Sequence, residues 1–315
     1  MIIDQKRLRE TRIGVNRQLR LAASLFRTRG SAPMLALPPQ SPINPDADAY
    51  AARCLELHAA AAARAEAGRM RLIADVVYGP DYWQKVDVWT PPSGRDLPVL
   101  LFFHGGNFTH GYKEWCSLMA EAVTGFPAIL VSASYRLAPG TAHRDILDDC
   151  FAALKLMRDQ ALRFGADPRR IYLGGHSAGA QAAAEMALRH DRRETAGLSD
   201  SDIQGVFPIS GNFQRRLGDL EADPALRVGA DDPDSPVELV TAQGARHPFL
   251  ICWGGAEKPY VHEAGAAFAA ALAAGGQKVE TLIEPGLDHF EVHLRAGDPA
   301  VPWTRQVRQR MLGTP

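Results

Sequence analysis

One stretch limits what this chain can become more than any other. Ile171-Tyr172-Leu173 runs into Gly174-Gly175-His176-Ser177-Ala178-Gly179, and an alanine-rich segment from Ala180 to Arg189 follows at once. A short apolar strand that turns directly into a helix leaves no room for side chains beside the turn. Glycine therefore stands two residues before and two residues after the serine. This is the pattern of a nucleophile elbow, a serine held at strained backbone angles above a sheet. The helix N-terminus beneath it favours negative charge nearby. Such a five-residue run also arises by chance, so the rest of the chain has to supply the partners.

A serine hydroxyl needs a base to take its proton and an acid to orient that base. Histidine, with an unperturbed pKa of about 6.5, suits the first role. Of the ten histidines, His289 is the expected base. It lies in Glu284-Pro285-Gly286-Leu287-Asp288-His289-Phe290, on the loop after the last expected strand. His176 abuts the serine but points off the other side of the elbow, and His262 and His293 fall in helical stretches with a structural look. The acid should follow a strand between the serine and His289. Glu257 is the first carboxylate after the strand that ends at Trp253. Asp232, Asp234 and Asp288 are its rivals.

A developing oxyanion needs donors fixed in place beforehand. The run His104-Gly105-Gly106-Asn107-Phe108 follows the apolar strand Leu97 to Phe103. Successive glycines there let backbone N–H groups converge on one spot. The expected oxyanion donors are Gly105, Gly106 and Ala178, with His104 propping the loop. Asn107, Phe108, Tyr112, Trp115, His176 and Trp253 are candidate substrate-binding residues, because aromatic walls suit a flat or apolar group; ordinary core packing explains the same rings.

The surrounding pattern is one of alternating elements. Strands are expected at 71–78, 84–90, 97–103, 128–134, 171–174, 203–210, 248–253 and 277–283, and helices at 145–164, 262–274 and 303–311. This alternation predicts an α/β fold: an open, mostly parallel sheet with helices on both faces and the active site at the carboxyl ends of the strands. Residues 71–315 are expected to form the catalytic domain. Within it, 211–246 is irregular and proline-bearing, and reads as a lid or binding loop, or as a surface excursion.

Residues 1–70 are expected to stand apart as a basic arm, a proline-rich linker and a helix. The first thirty residues hold eight Lys and Arg against two acids. An amphipathic helix at 19–29 is expected there, docking on the protein's own body or on a second copy as a homodimer contact, with a membrane or acidic-partner surface as the other reading. Asp46 and Asp48 are candidate caps for the following helix. A formal net charge of −1 carries no signature of nucleic-acid binding. Cys54, Cys116, Cys150 and Cys252 are too widely spaced for a zinc site. They read as buried free thiols, which fits a reducing cytoplasm. No signal segment and no membrane span is expected.

These pieces together resemble the esterase/lipase branch of the α/β-hydrolases. Within that branch the chain is similar to kynurenine formamidase-like proteins. Besides the glycine-flanked serine and the His-Gly-Gly run, the matching pieces are Tyr78-Gly79 with Val86-Asp87-Val88, Ser134-Tyr135-Arg136-Leu137-Ala138-Pro139, Phe164-Gly165-Ala166-Asp167-Pro168, Ile209-Ser210-Gly211, Asp234-Ser235-Pro236 and the loop around His289. The likeness spans roughly residues 70 to 295. It implies an α/β-hydrolase fold, Ser177 as nucleophile, Glu257 as acid and His289 as base. Asn107 stands where many esterases have a third glycine, and a glutamate stands where aspartate is commoner.

The expected activity is that of a serine hydrolase without metal or cofactor, acting on a small carboxylic ester or an aryl formamide. Two alternatives remain open at this point: an acyltransferase or lyase tailoring a natural product, and an inactive hydrolase fold used for binding.

Overall fold

Near-continuous apolar runs build the centre of the protein. The structure, a computed structural model, describes residues 37–214 and 235–313. The amphipathic helix expected at 19–29, the homodimer contact and the acids Asp231, Asp232 and Asp234 lie outside the described residues. The sheet and its helices belong to one compact unit, Pro42–Pro315.

In chain order its elements are α1 (Pro45–Glu66), β1 (Arg71–Val77), β2 (Lys85–Thr90), β3 (Leu97–Phe103), a 3-10 segment (Lys113–Met119), α2 (Ala120–Gly125), β4 (Ile129–Ala133), α3 (His143–Phe164), β5 (Ala166–His176), α4 (Ala178–Leu188), α5 (His190–Thr195), β6 (Val206–Ile209), α6 (Pro236–Gln243), β7 (Phe249–Gly254), α7 (Pro259–Ala274), β8 (Val279–Glu284), α8 (Glu291–Arg295) and α9 (Pro302–Leu312). The eight strands form one sheet in the order β1-β2-β4-β3-β5-β6-β7-β8. The pairs β1/β2 and β2/β4 are antiparallel, and every other pair is parallel. β3, β4 and β6 are buried along their whole length, as strands covered on both faces must be. Strands that run the same way bring their carboxyl ends to one rim, and that rim collects the loops after β3, β5, β7 and β8.

Two expectations need correction, the cap of α1 and the start of β5. α1 itself, expected to group with the arm at 1–70, lies in the same compact unit as the sheet. Its buried residues Ala47, Tyr50, Cys54, His58 and Ala61 recur at helical spacing and turn one stripe inward. Its cap is Asn44, whose side chain accepts from the Ala47 N–H at 2.9 Å, with Pro45 opening the first turn. Asp46 and Asp48 lie inside that turn, and Asp48 reaches back to the Ile43 N–H. Lastly, β5 begins at Ala166 rather than Ile171, and its pairing with β3 skips between Leu97 and Val99. Proline and two arginines hide such an irregular strand start from any reading of alternation.

Inside the stretch expected to be irregular, the described part contains α6. Ser235 and Glu238 form a reciprocal capping box at its start. All four cysteines are buried free thiols. Among the described residues, no helix is long and apolar enough to cross a membrane.

Candidate active site

The elbow after β5 is as tight as its glycines suggest. Ser177 sits at φ 53° and ψ −118°, a left-handed conformation that a side chain resists. Its N–H donates to the carbonyl of Ile209 at 2.9 Å, which ties the turn to the neighbouring strand end. A Cβ on Gly175 would stand 2.2 Å from the Gly179 carbonyl, and one on Gly179 would stand 2.1 Å from the Phe103 oxygen. Neither position admits any other residue without moving backbone.

Three side chains from three strand ends meet above this turn. The Nε2 atom of His289 lies 3.0 Å from the Ser177 hydroxyl oxygen, and its Nδ1 lies 3.0 Å from Oε2 of Glu257. The Glu257 side chain is only 1% exposed, whereas the His289 ring is 29% exposed. A carboxylate sunk beneath an imidazole that itself opens toward solvent fits an orienting acid beneath a working base. Nδ1–H of His289 donates to the carboxylate, which leaves Nε2 as the acceptor for the serine proton. Asp288 serves another purpose: its carboxylate accepts from the N–H groups of Phe290 and Glu291 and starts α8.

The two loops that carry the acid and the base are stitched to each other. Gly255 N–H donates to Glu284 at 2.7 Å and Ala256 N–H donates to Leu287 at 2.9 Å. A Cβ on Gly254 would lie 2.1 Å from the Leu287 oxygen, so this close approach also requires glycine.

The loop after β3 passes directly over the serine. A Cβ on Gly105 would come within 3.0 Å of both the His176 carbonyl oxygen and the Ser177 Cβ. Gly106, Asn107 and Phe108 all have positive φ, at 110°, 55° and 61°. Consecutive residues of this kind turn backbone N–H groups to one side of the chain. Ala178 opens α4, so its N–H has no carbonyl within its own helix. His104 is fully buried beneath the loop, stacked on Tyr135 at 4.2 Å, with Nδ1 against the Gly105 carbonyl at 2.7 Å. Burial drives its pKa down to about 4, so it stays neutral near pH 7.

The candidate substrate-binding residues are placed unevenly. Asn107 is half-buried beside the glycines. Phe108 is buried edge-on against His143, Tyr112 stacks on Trp83 and Trp115 packs against Tyr50. Trp253 is buried under α7 and donates its indole N–H to His262 at 2.9 Å. His176 is buried, and its Nε2 lies 2.7 Å from the backbone carbonyl of His289. These rings are occupied with packing and support. Tyr50 and Phe290 also border the site. Sequence reasoning misses them, because nothing in their local sequence says which tertiary surface they meet. Among the described residues, no group of three or more His, Cys, Asp or Glu gathers closely enough to hold a metal ion.

A covered, mostly parallel sheet with a strained serine at the end of a central strand defines the alpha/beta hydrolases. The chain belongs to that family: a family model described as alpha/beta hydrolase fold matches residues 100–293. Carboxylesterase NlhH of Mycobacterium tuberculosis is 41% identical over 244 residues, which cover 68% of this chain and 73% of that protein. Isoprenylcysteine alpha-carbonyl methylesterase of Arabidopsis thaliana is 26% identical over 242 residues, covering 70% of this chain and 57% of the relative. The chain thus spans little more than half the length of three Arabidopsis thaliana methylesterases it matches, 51% to 57%. Esterase B of Lactobacillus rhamnosis, solved with a tributyrin phosphonate inhibitor, superposes with a TM-score of 0.67 at 18% identity, covering 85% of this chain and 94% of that one. At that identity the likeness speaks to the fold alone.

Proposed function

We propose that this protein is a serine hydrolase that cleaves a small carboxylic ester, with an aryl formamide as the other substrate to test. The observation that carries the reading is the unbroken hydrogen-bonded chain Ser177–His289–Glu257, its two links each 3.0 Å. In the proposed reaction His289 Nε2 takes the Ser177 proton as the oxygen attacks the carbonyl carbon. The oxyanion is met by the N–H groups of Gly105, Gly106 and Ala178. The imidazolium is held by Glu257 and returns the proton to the departing alkoxide or amine. Water, deprotonated by the same imidazole, then releases the acid from the acyl enzyme and regenerates the serine. Similarity to a carboxylesterase supports esters over formamides.

The test is labelling by a fluorophosphonate probe combined with turnover of a panel of p-nitrophenyl esters and N-formylkynurenine. Labelling and ester turnover in the unaltered protein, both abolished in Ser177→Ala, are expected. An unaltered protein that neither labels nor turns over any of these substrates would end the proposal, as would labelling that survives Ser177→Ala.

A further inference from the structure

Tyr50 reaches the candidate site from α1 and touches it on two sides. Its hydroxyl oxygen lies 3.3 Å from Nδ1 of His176, the residue before the serine, and 2.7 Å from Nδ1 of His293 on α8. Its ring stacks on Phe290, the residue after His289, at 4.8 Å. His176 in turn meets the His289 backbone carbonyl through Nε2. Tyr50, His176 and His293 are 5%, 1% and 0% exposed, so water is not at hand to mend a mismatched pair.

Donor and acceptor counting then gives this cluster a direction. A carbonyl only accepts, so the Nε2 of His176 must carry a proton. Burial and the neighbouring histidines hold His176 well below its ordinary pKa, which leaves the ring neutral and its Nδ1 bare. That bare nitrogen needs a donor, and the Tyr50 hydroxyl is the one facing it. If Tyr50 instead gave its proton to His293, then His293 would have to carry its own on Nε2. Among the described residues that atom has no partner, so an N–H would be buried unpaired while two lone pairs faced each other at His176. The opposite direction leaves only an acceptor idle. His293 Nδ1–H donates to the Tyr50 oxygen, and Tyr50 O–H donates to His176.

From this we infer that Tyr50 is a positioning residue: it fixes His176 as the Nε2–H tautomer, and His176 then holds the backbone of His289 so that the imidazole faces Ser177. The inference rests on the reading of Ser177 and His289 as nucleophile and base. A base displaced by a fraction of an ångström loses rate without losing substrate affinity, because binding does not use it.

Long-range proton–nitrogen NMR of the 15N-labelled full chain at pH 7 reads each ring tautomer directly. His176 is expected with its proton on Nε2 and His293 with its proton on Nδ1. The reverse at either ring overturns the inference, and this measurement needs no variant to fold. In Tyr50→Phe, kcat for p-nitrophenyl acetate is expected to fall about tenfold with KM within about twofold. His176→Gln, which keeps an N–H toward His289, should retain more of kcat than His176→Leu. A folded Tyr50→Phe with unaltered kcat removes the positioning role while leaving Ser177 labelling, and the hydrolase reading, untouched. Loss of labelling in the unaltered protein would remove the hydrolase reading and leave the tautomer result standing.

Discussion

The N–H of Ser177 is bonded to the carbonyl of Ile209 at 2.9 Å, and this bond holds the serine at φ 53°. The neighbouring strand therefore maintains a backbone conformation that serine itself disfavours. Such strain is typically about 1–3 kcal/mol. Glycine adopts the same angles freely, at an unfolded-state entropy cost of about 0.4–1 kcal/mol. Ser177→Gly should thus raise the melting temperature by roughly 2–4 °C while abolishing ester turnover. A lower melting temperature in a thermal-unfolding scan followed by circular dichroism would show that the elbow is not strained.

How much could be read from the chain alone depends on where each kind of information resides. Ser177, Glu257 and His289 sit immediately after β5, β7 and β8, and parallel strands deliver those loops to one rim whatever the details. Chain order therefore narrows the candidates to these loops, and the fold separates Glu257, which meets His289, from Asp288, which caps α8. Gly175 and Gly179 announce themselves because backbone stands where a Cβ would go. The role of α1 is hidden. Its apolar stripe predicts that it packs on something, but periodicity does not name the surface, so Tyr50 looks like part of a separate arm. The aromatic residues after β3 fit two readings from composition alone, pocket wall or ordinary packing; in the fold Phe108, Tyr112 and Trp115 have edge-on and stacked ring partners. The start of β5 is obscured by Pro168 and the charges beside it, and pairing with β3 prevails over local preference.

Glu257→Gln should separate orientation from packing. The amide matches the carboxylate in shape and its burial is less demanding, so the protein should fold with an unchanged or slightly higher melting temperature. It no longer stabilises an imidazolium, and its NH2 group can force the wrong His289 tautomer. Loss of the equivalent charge in Ser-His-Asp sites costs about 10⁴ in kcat, and a fall of about 10³–10⁴ is expected here. A fall of less than tenfold in steady-state kinetics would mean that Glu257 does not serve the base.

Acid should destabilise this protein in a window set by buried histidines. Burial lowers His104 and His247 to about 4 and His293 to about 3, and pushes His176 well down as well. Their unfolded values lie near ~6.5. The stability these neutral rings contribute is complete above that value and declines as pH falls toward their folded values, because only the unfolded chain takes up the protons. Each such ring changes stability by about 1.4 kcal/mol per pH unit inside the window. Glu114 works in the opposite sense, since burial raises its carboxyl and the folded state binds that proton first. It is one group against these four and two further buried histidines, His58 and His190, which burial also lowers. The melting temperature should therefore begin to fall below about pH 6.5 and be lower by at least about 5 °C at pH 5, above the range in which ordinary carboxylates titrate. Melting curves that stay flat from pH 7 to pH 4.5 would contradict the burial of neutral histidines around the site.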